Sequence, residues 1–394
     1  MNGLSAELSD RVQAFLEGDL RGELAVESLA QDLADFLDGK PVDVLRELLD
    51  TLREAGGYGL SLRLLSRAWA GSPSDNLAGE LAEDWIGTLL HGLSDRAAAS
   101  EVALAVVPDA LNRGAAFASD LGDLLLAWGL RDEAAPLVTF AAERNPGDLS
   151  AQFNLGVLLK FRGEWARCAD VFRAVVTGRK DPAAQWNLGI ACTALRDFAS
   201  ARTAWKAVGL AVPESDGDFA RPGERVPVRL PTAPGAPVGA EVVWGDRLCP
   251  ARVRLTGVPR YGGPAGFGDI LLVDGVPVGE TQLGDQTVPI LEHLAVFAAA
   301  GGRLFRLRTP KGVRLMPGTT AEIATALRGS GFAAADWRGV GPASDAVGVV
   351  LPEGARPEAL AAVVERICAH LPLRCPELNA ELGQAADASD LSAW

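Results

Sequence analysis

The sequence predicts a multidomain protein in which an all-α helical solenoid is followed by a smaller α+β domain. Three observations carry this expectation. Leu121-Gly122, Asn154-Leu155-Gly156 and Trp186-Asn187-Leu188-Gly189 repeat one pattern, with Gly122 and Gly156 34 positions apart and Gly156 and Gly189 33 apart, the period of a stacked helix-turn-helix unit. After Pro213, residues 214–239 turn rich in Pro and Gly and lose any apolar period, which is the composition of a linker. Beyond them, short β-like runs give way to alternating helices and strands, the pattern of an α+β domain.

With 394 residues, 48% of them hydrophobic, the chain can bury a sizeable core and holds two or three domains. A formal charge of -14 argues against non-specific binding of nucleic acid or of a membrane surface, both of which are polyanionic. The charge is uneven: residues 1–55 carry 13 acidic against 5 basic side chains, whereas residues 149–212 carry 9 basic against 4 acidic. The N-terminal MNGLSAELSDR lacks the features of a secretory signal, and no apolar run approaches the length of a bilayer span, so a cytoplasmic protein is expected. Cys168, Cys192, Cys249, Cys368 and Cys375 are odd in number, scattered and without a C-x-x-C pair. Reduced, buried thiols are therefore expected, with no metal or cofactor.

Residues 1–114 read as a divergent helical-hairpin region, a candidate for degenerate repeats. Leu8, Val12 and Phe15, then Leu29, Leu33, Phe36 and Leu37, recur at helical spacing. Pro41-Val42-Asp43 is a helix start, since proline suits the first turn and an early acid suits the helix dipole. Leu48, Leu49 and Leu52, a break at Gly56-Gly57, and then Leu62, Leu65 and Ala68 complete a two-helix unit ending at Ser72-Pro73. The next pair, Leu77 to His91 and Asp95 to Leu111, runs longer than the repeat period and is expected to pack irregularly or turn the solenoid.

Residues 115–213 align as three units. The first has Leu121, Gly122 and Leu125, then Ala134, Val138, Ala141 and Pro146. The second has Leu155, Gly156 and Leu159, then Cys168, Phe172 and Val175. The third has Leu188, Gly189 and Cys192, then Ala201, Trp205, Val208 and Pro213. Glycine lets two helices approach, alanine-sized residues fill the crossing, and the aromatic bridges to the next hairpin. On these residues the segment resembles the tetratricopeptide repeat (TPR) family; it departs at Lys180, where proline is usual, and at Val175 and Val208, where alanine is usual.

The resemblance implies a concave groove lined by first-helix residues that binds an extended peptide or a helix. Carried onto this sequence, the lining is Ser119, Asp120 and Asp123, then Phe153, Asn154, Val157, Lys160 and Phe161, then Trp186, Asn187, Ile190 and Thr193. Asn154 and Asn187 occupy matching positions, and a pair of amides offers both donors and acceptors to a ligand backbone. Phe153, Phe161 and Trp186 would supply apolar anchors. Only Lys160 joins the two amides, which is thin support for a clamp on a terminal carboxylate. The competing reading is that these aromatics are core, or are covered by the chain's own segments.

In residues 240–375, strands are expected at Glu241 to Trp244, Ala251 to Thr256 and Asp269 to Asp274, the last turning at Asp274-Gly275 into Val276 to Glu280. A helix fits Val288 to Ala300, a strand Arg303 to Arg308, and a helix Thr319 to Arg328. Two strands, Ala334 to Trp337 and Ala346 to Leu351, precede a helix from Pro357 to Leu371. The Gly-rich loop from Arg260 to Asp269 is followed by a strand and lacks a G-K-[ST], so it reads as a flexible turn rather than a phosphate cradle. His293 beside Glu292 lacks a nucleophile partner and reads as structural. Cys368, His370 and Cys375 match no common zinc spacing. The tail, residues 376–394, has four acids and no base, reads as disordered, and is a candidate for self-association by docking in a basic groove.

The function expected is a non-catalytic adaptor or scaffold that binds a protein or peptide partner in the concave groove, at Phe153, Asn154, Val157, Lys160, Phe161, Trp186, Asn187 and Ile190, with no nucleic acid or membrane partner and no catalytic residue. Two alternatives stand beside it. One is an enzyme or small-ligand sensor with its site in the α+β domain and the repeats as a recruitment arm. The other is a homo-oligomeric structural component.

Overall fold

A computed structural model describes residues 4–20, 22–37, 40–71, 73–213, 224–309, 313, 315–337 and 345–383. The chain divides into two compact units, Met1–Leu159 with Ala174–Arg179, and Lys160–Arg173 with Lys180–Trp394. The division runs through the second repeat, not at Pro213, because the third repeat packs with the strands that follow it.

The first unit is helical. It contains α1 (Ala6–Leu16), α2 (Glu23–Leu37), α3 (Val42–Glu54), α4 (Tyr58–Ala70), α5 (Asp75–Gly87), α6 (Arg96–Arg113), α7 (Ala115–Ala127) and α8 (Arg131–Arg144), while α9 (Leu149–Phe161) and α10 (Trp165–Gly178) cross the division. Helix starts carry the expected oxygens: Ser5 accepts from the Leu8 amide at 3.2 Å and Asp95 from the Ala98 amide at 3.0 Å. The extra length of the α5–α6 pair lies in the 18 residues of α6 and in the turn before it. A π turn, Thr88–Gly92, follows α5, and Gly92 lies against Tyr58, where a Cβ would stand 2.6 Å from the ring.

The apolar stripes read from the sequence meet in two cores of this unit. Leu8, Val12, Leu29, Leu33, Leu49, Leu52, Leu60 and Leu64 close the first. Ile86, Ala103, Val106, Leu125, Ala134, Val138 and Leu158 close the second. Each leucine so buried contributes roughly 1.5–3 kcal/mol, which is why the stripes and not helix propensity hold the array. Gly122 sits at a tight crossing, since a Cβ there would stand 2.9 Å from Val138 Cγ2.

The second unit joins α11 (Pro182–Ala194) and α12 (Phe198–Ala207) to β1 (Arg225–Pro231), β2 (Ala240–Cys249), β3 (Arg252–Leu255), β4 (Ile270–Leu283) and β5 (Gln286–Ala298), which close into a five-stranded barrel. Neighbours are antiparallel except β1 and β5, which close the barrel in parallel at Val228 and Leu291. Val226, Val228, Leu230, Val253, Leu255, Leu271, Val273 and Leu291 fill it. After the barrel come β6 (Arg303–Arg308), α13 (Thr319–Gly329), β7 (Ala333–Asp336), β8 (Asp345–Leu351), α14 (Pro357–Cys368) and α15 (Pro376–Glu381), with sheet order β6-β8-β7. Phe305, Leu307, Val347 and Val349 of the sheet pack with Ile323, Leu327 and Leu360 of the helices.

Four expectations are corrected here. The segment read as a linker contains β1, whose Val226, Val228 and Leu230 alternate inward despite Pro227 and Pro231. The helix expected from Val288 to Ala300 is strand β5, where pairing with β4 and β1 overrides the helix-forming Leu, Glu and Ala. Asp274-Gly275 is no turn: β4 continues through it, bulging from its β5 partner between Val273 and Pro277, and reverses at Gly284-Asp285, with Gly284 at φ 60°. Of the tail, Pro376–Glu381 is helical and seats Leu378 in the sheet core at 1% exposure; residues 384–394 lie outside the described residues. The strands expected near β3, β6, β7 and β8 and the helices near α13 and α14 stand within a few residues of their observed bounds.

Candidate functional site

The expected lining residues fall into two groups. In the second unit, Lys160 at the end of α9 and Asn187 on α11 are turned onto the barrel's own strand. Lys160 Nζ donates to Asn187 Oδ1 at 2.8 Å and to Asp274 Oδ2 at 2.7 Å. It also stands 4.7 Å from the centre of the Phe161 ring. The Lys160 and Asp274 side chains are 3% and 5% exposed, so this ion pair is buried. Asn187 donates its amide to the Ala183 carbonyl at 2.9 Å, and at 7% exposure both ends of the group are engaged inside the chain. Ile190 is fully buried.

Trp186 explains Gly275. A Cβ on Gly275 would stand 2.0 Å from Trp186 Nε1, so only glycine lets the strand pass this ring. Trp186 meets Trp205 edge-on at 5.0 Å, and Trp205 in turn covers Gly189, where a Cβ would stand 2.7 Å from the indole. The turn between α11 and α12 carries a second anchor. Gly129 and Gly163 take φ 72° and 71° at the matching turns, but the third turn uses Arg196 at φ 61°. A left-handed non-glycine residue costs roughly 1–2 kcal/mol. Its guanidinium stacks on Phe297 of β5 at 4.2 Å and donates to the Phe297 carbonyl at 3.2 Å. Fully buried Arg252 of β3 lies between Phe198 and Phe297, 5.3 and 5.1 Å from their rings, and donates to Cys249 Sγ at 3.3 Å. The third repeat and the barrel therefore share one polar and aromatic seam.

In the first unit, Asn154 is buried at 7% exposure, while Phe153 and Val157 are half-buried. Trp186 lines a small pocket of about 290 Å³ with Leu210 and Pro250 in the second unit, and a more open concave space lies between α5 and α7 in the first. It encloses about 600 Å³. Phe117, Leu121 and Leu124 form its floor, spaced four and three residues apart on one face of α7. Asp120 and Asp123 of α7 and Asp75, Glu80 and Glu83 of α5 line the walls. Asp75 is paired with Arg113 at 2.7 Å, and Glu80 accepts from Arg46 Nε at 3.0 Å. Glu83, Asp120 and Asp123 are exposed and pair with no cation among the described residues. Asp120 and Asp123 belonged to the sequence-derived lining; Glu83 and Phe117 did not. The repeat register was the signal for α7, since Asp120 stands where Asn154 and Asn187 stand, but α5 has no Leu-Gly pair to set its register.

The remaining candidates are tied into the fold. Asp269 of the Gly-rich loop accepts from the Gly266 and Ala300 amides, both at 2.7 Å, and Arg260 stacks on Tyr261 at 5.2 Å. That loop is an ordered brace, not a flexible turn. His293 has its pKa lowered by burial, against the pull of Glu292. Cys368 and Cys375 lie in the sheet core, and burial pushes their thiols up to about 11 and about 12. No helix of the described residues is long and apolar enough to cross a membrane.

Several solved structures are similar to part of the chain, among them the following three. MamA of strain MSR-1 is 22% identical with a TM-score of 0.31, covering 42% of this chain and 92% of that one. MamA from residue 41 onward, of Desulfovibrio magneticus RS-1, is 18% identical with a TM-score of 0.32, covering 42% and 92%. A Podosopora anserina kinesin light chain structure of nearly identical TPR-like repeats is 17% identical with a TM-score of 0.32, covering 42% and 92%. No protein-family model matches the sequence, and no curated protein does. On its helix pairs, its period of 33–34 residues and its glycine-backed crossings, the segment from Ala115 to Pro213 is a TPR-like repeat segment.

Proposed function

We propose that the protein is a non-catalytic interaction scaffold whose helical repeats hold a segment of a partner protein, and that the holding surface is the groove between α5 and α7. The observation that carries this is an open space of about 600 Å³ whose floor is apolar and whose walls are helices of one packed array. Phe117 and Leu124 are partly exposed in that floor, with Leu121 buried between them, and a partly exposed apolar floor in such a groove is a seat for a docked helix or strand. Phe153 and Val157 of α9 extend the same first-helix positions within this unit. Lys160, Trp186 and Asn187 take the place of a partner contact with one inside the chain, holding β4.

Gly79 of α5 lines the groove, and a Cβ there meets nothing within 4 Å. Gly79→Phe therefore fills the space without disturbing the fold. Affinity capture from the source cell is expected to lose specific partners with Gly79→Phe and to keep them with Gln13→Phe, a control on exposed α1 surface. Identical capture by the two variants and the natural protein would overturn the proposal.

A further inference from the structure

We infer that the segment held between α5 and α7 is cationic and amphipathic, its lysine or arginine side chains reaching Glu83, Asp120 and Asp123 while its apolar side rests on Phe117, Leu121 and Leu124; this rests on the groove reading above. The charges of the lining decide it. Arg113 is the one cation there, and it is taken by Asp75 and Asp109, both at 2.7 Å. Arg46 takes Glu80. Three carboxylates are left without a cation among the described residues, on both walls: Glu83 on α5, Asp120 and Asp123 on α7.

An acidic ligand would meet like charge on each side. A neutral one would strip water from three carboxylates and return nothing to them. A basic ligand turns the same desolvation into charge-assisted hydrogen bonds. The floor sets the second requirement. Phe117, Leu121 and Leu124 span seven residues of α7, roughly 10 Å at 1.5 Å per residue, which an i, i+4, i+7 stripe on a second helix matches.

The test is fluorescence anisotropy of a dye-labelled amphipathic helix of leucine and lysine titrated with the full chain, beside the same helix with glutamate in place of lysine. The lysine helix is expected to bind and the glutamate helix not to. The combined variant Glu83→Gln, Asp120→Asn, Asp123→Asn is expected to weaken the lysine helix about tenfold, the sum of three rim contacts of a few tenths to about 1 kcal/mol each. The matched variant Asp10→Asn, Glu17→Gln, Asp19→Asn, which removes as much charge from outside the groove, is expected to stay within about twofold, since none of the three lines it and salt screens exposed charges.

Gly79→Phe is expected to abolish binding. If Gly79→Phe abolishes it but the groove-charge variant leaves affinity unchanged, or if both triple variants weaken it alike, the cationic inference falls while the groove stands. If Gly79→Phe and the groove-charge variant both bind as the natural protein does, the groove reading itself falls. A concentration-dependent rise in mass by light scattering that Gly79→Phe removes would assign the groove to a second copy and overturn the inference.

Discussion

Replacing Asp274 by alanine removes the carboxylate that answers Lys160 inside the second unit, and the cost is set by what is left behind. At 2.7 Å and an effective dielectric of about 20, the attraction is roughly 6 kcal/mol. Taking both ions out of water costs several kcal/mol each, so the pair as a whole contributes little. The single variant keeps the cost of burying Lys160, 3% exposed, and loses the return, with Asn187 Oδ1 and the Phe161 ring as the contacts that remain. Breaking one side of such a pair costs about 3–5 kcal/mol. Urea unfolding of the full chain, followed by near-UV circular dichroism to report the Trp186–Trp205 pair, is expected to show that loss for Asp274→Ala. Lys160→Met is expected to lose a similar amount, and Lys160→Met with Asp274→Leu to recover most of it. A loss under about 1 kcal/mol for Asp274→Ala, the value of an exposed pair, or strict additivity in the double variant, would refute the reasoning.

Two glycines should respond in opposite directions. Gly189→Ala places a Cβ 2.7 Å from the buried Trp205 indole and is expected to cost ~1–3 kcal/mol, whereas Gly79→Ala meets open space and should add up to ~1 kcal/mol of helix stability; thermal unfolding of both variants checks the contrast. Burial pushes the Cys168 thiol from 9.0 to about 12, against the pull of Lys160. The unfolded chain therefore loses this proton first as pH rises, so the stability held by the neutral thiol is complete below pH 9.0 and is lost toward about 12; a urea midpoint in Cys168→Ala that falls as steeply over that range as in the natural protein would count against it. Burial holds the His293 pKa below 6.5, so the unfolded chain takes up a proton that the native one refuses, and stability should fall as pH drops below 6.5. His293→Phe is expected to flatten that limb of the pH–stability curve.

Much of the helical half was legible because its signals are local. Gly122 and Gly189 were read as close-packing positions from their spacing, and each lies where a Cβ would strike the partner helix. The groove was legible only in part. Asp120 and Asp123 follow from repeat register, but Glu83 and Phe117 line it because α5 lies beside α7, which no periodicity states.

The sequence by itself determined the helix pairs, their period, the alternation of strands and helices after residue 300, and the uneven charge, since each depends on neighbours within a few residues. Only the tertiary structure decided that the Pro-rich segment supplies β1, that Leu, Glu and Ala from Val288 onward extend as β5, and that Asp274-Gly275 is mid-strand. It also decided the fate of the basic, aromatic face of the second and third repeats. Lys160 and Asp274 are 114 positions apart, and Trp186 and Gly275 are 89 apart. A lysine and a tryptophan on a helix face look alike whether a partner or the chain's own strand will cover them; burial against a distant residue makes the difference.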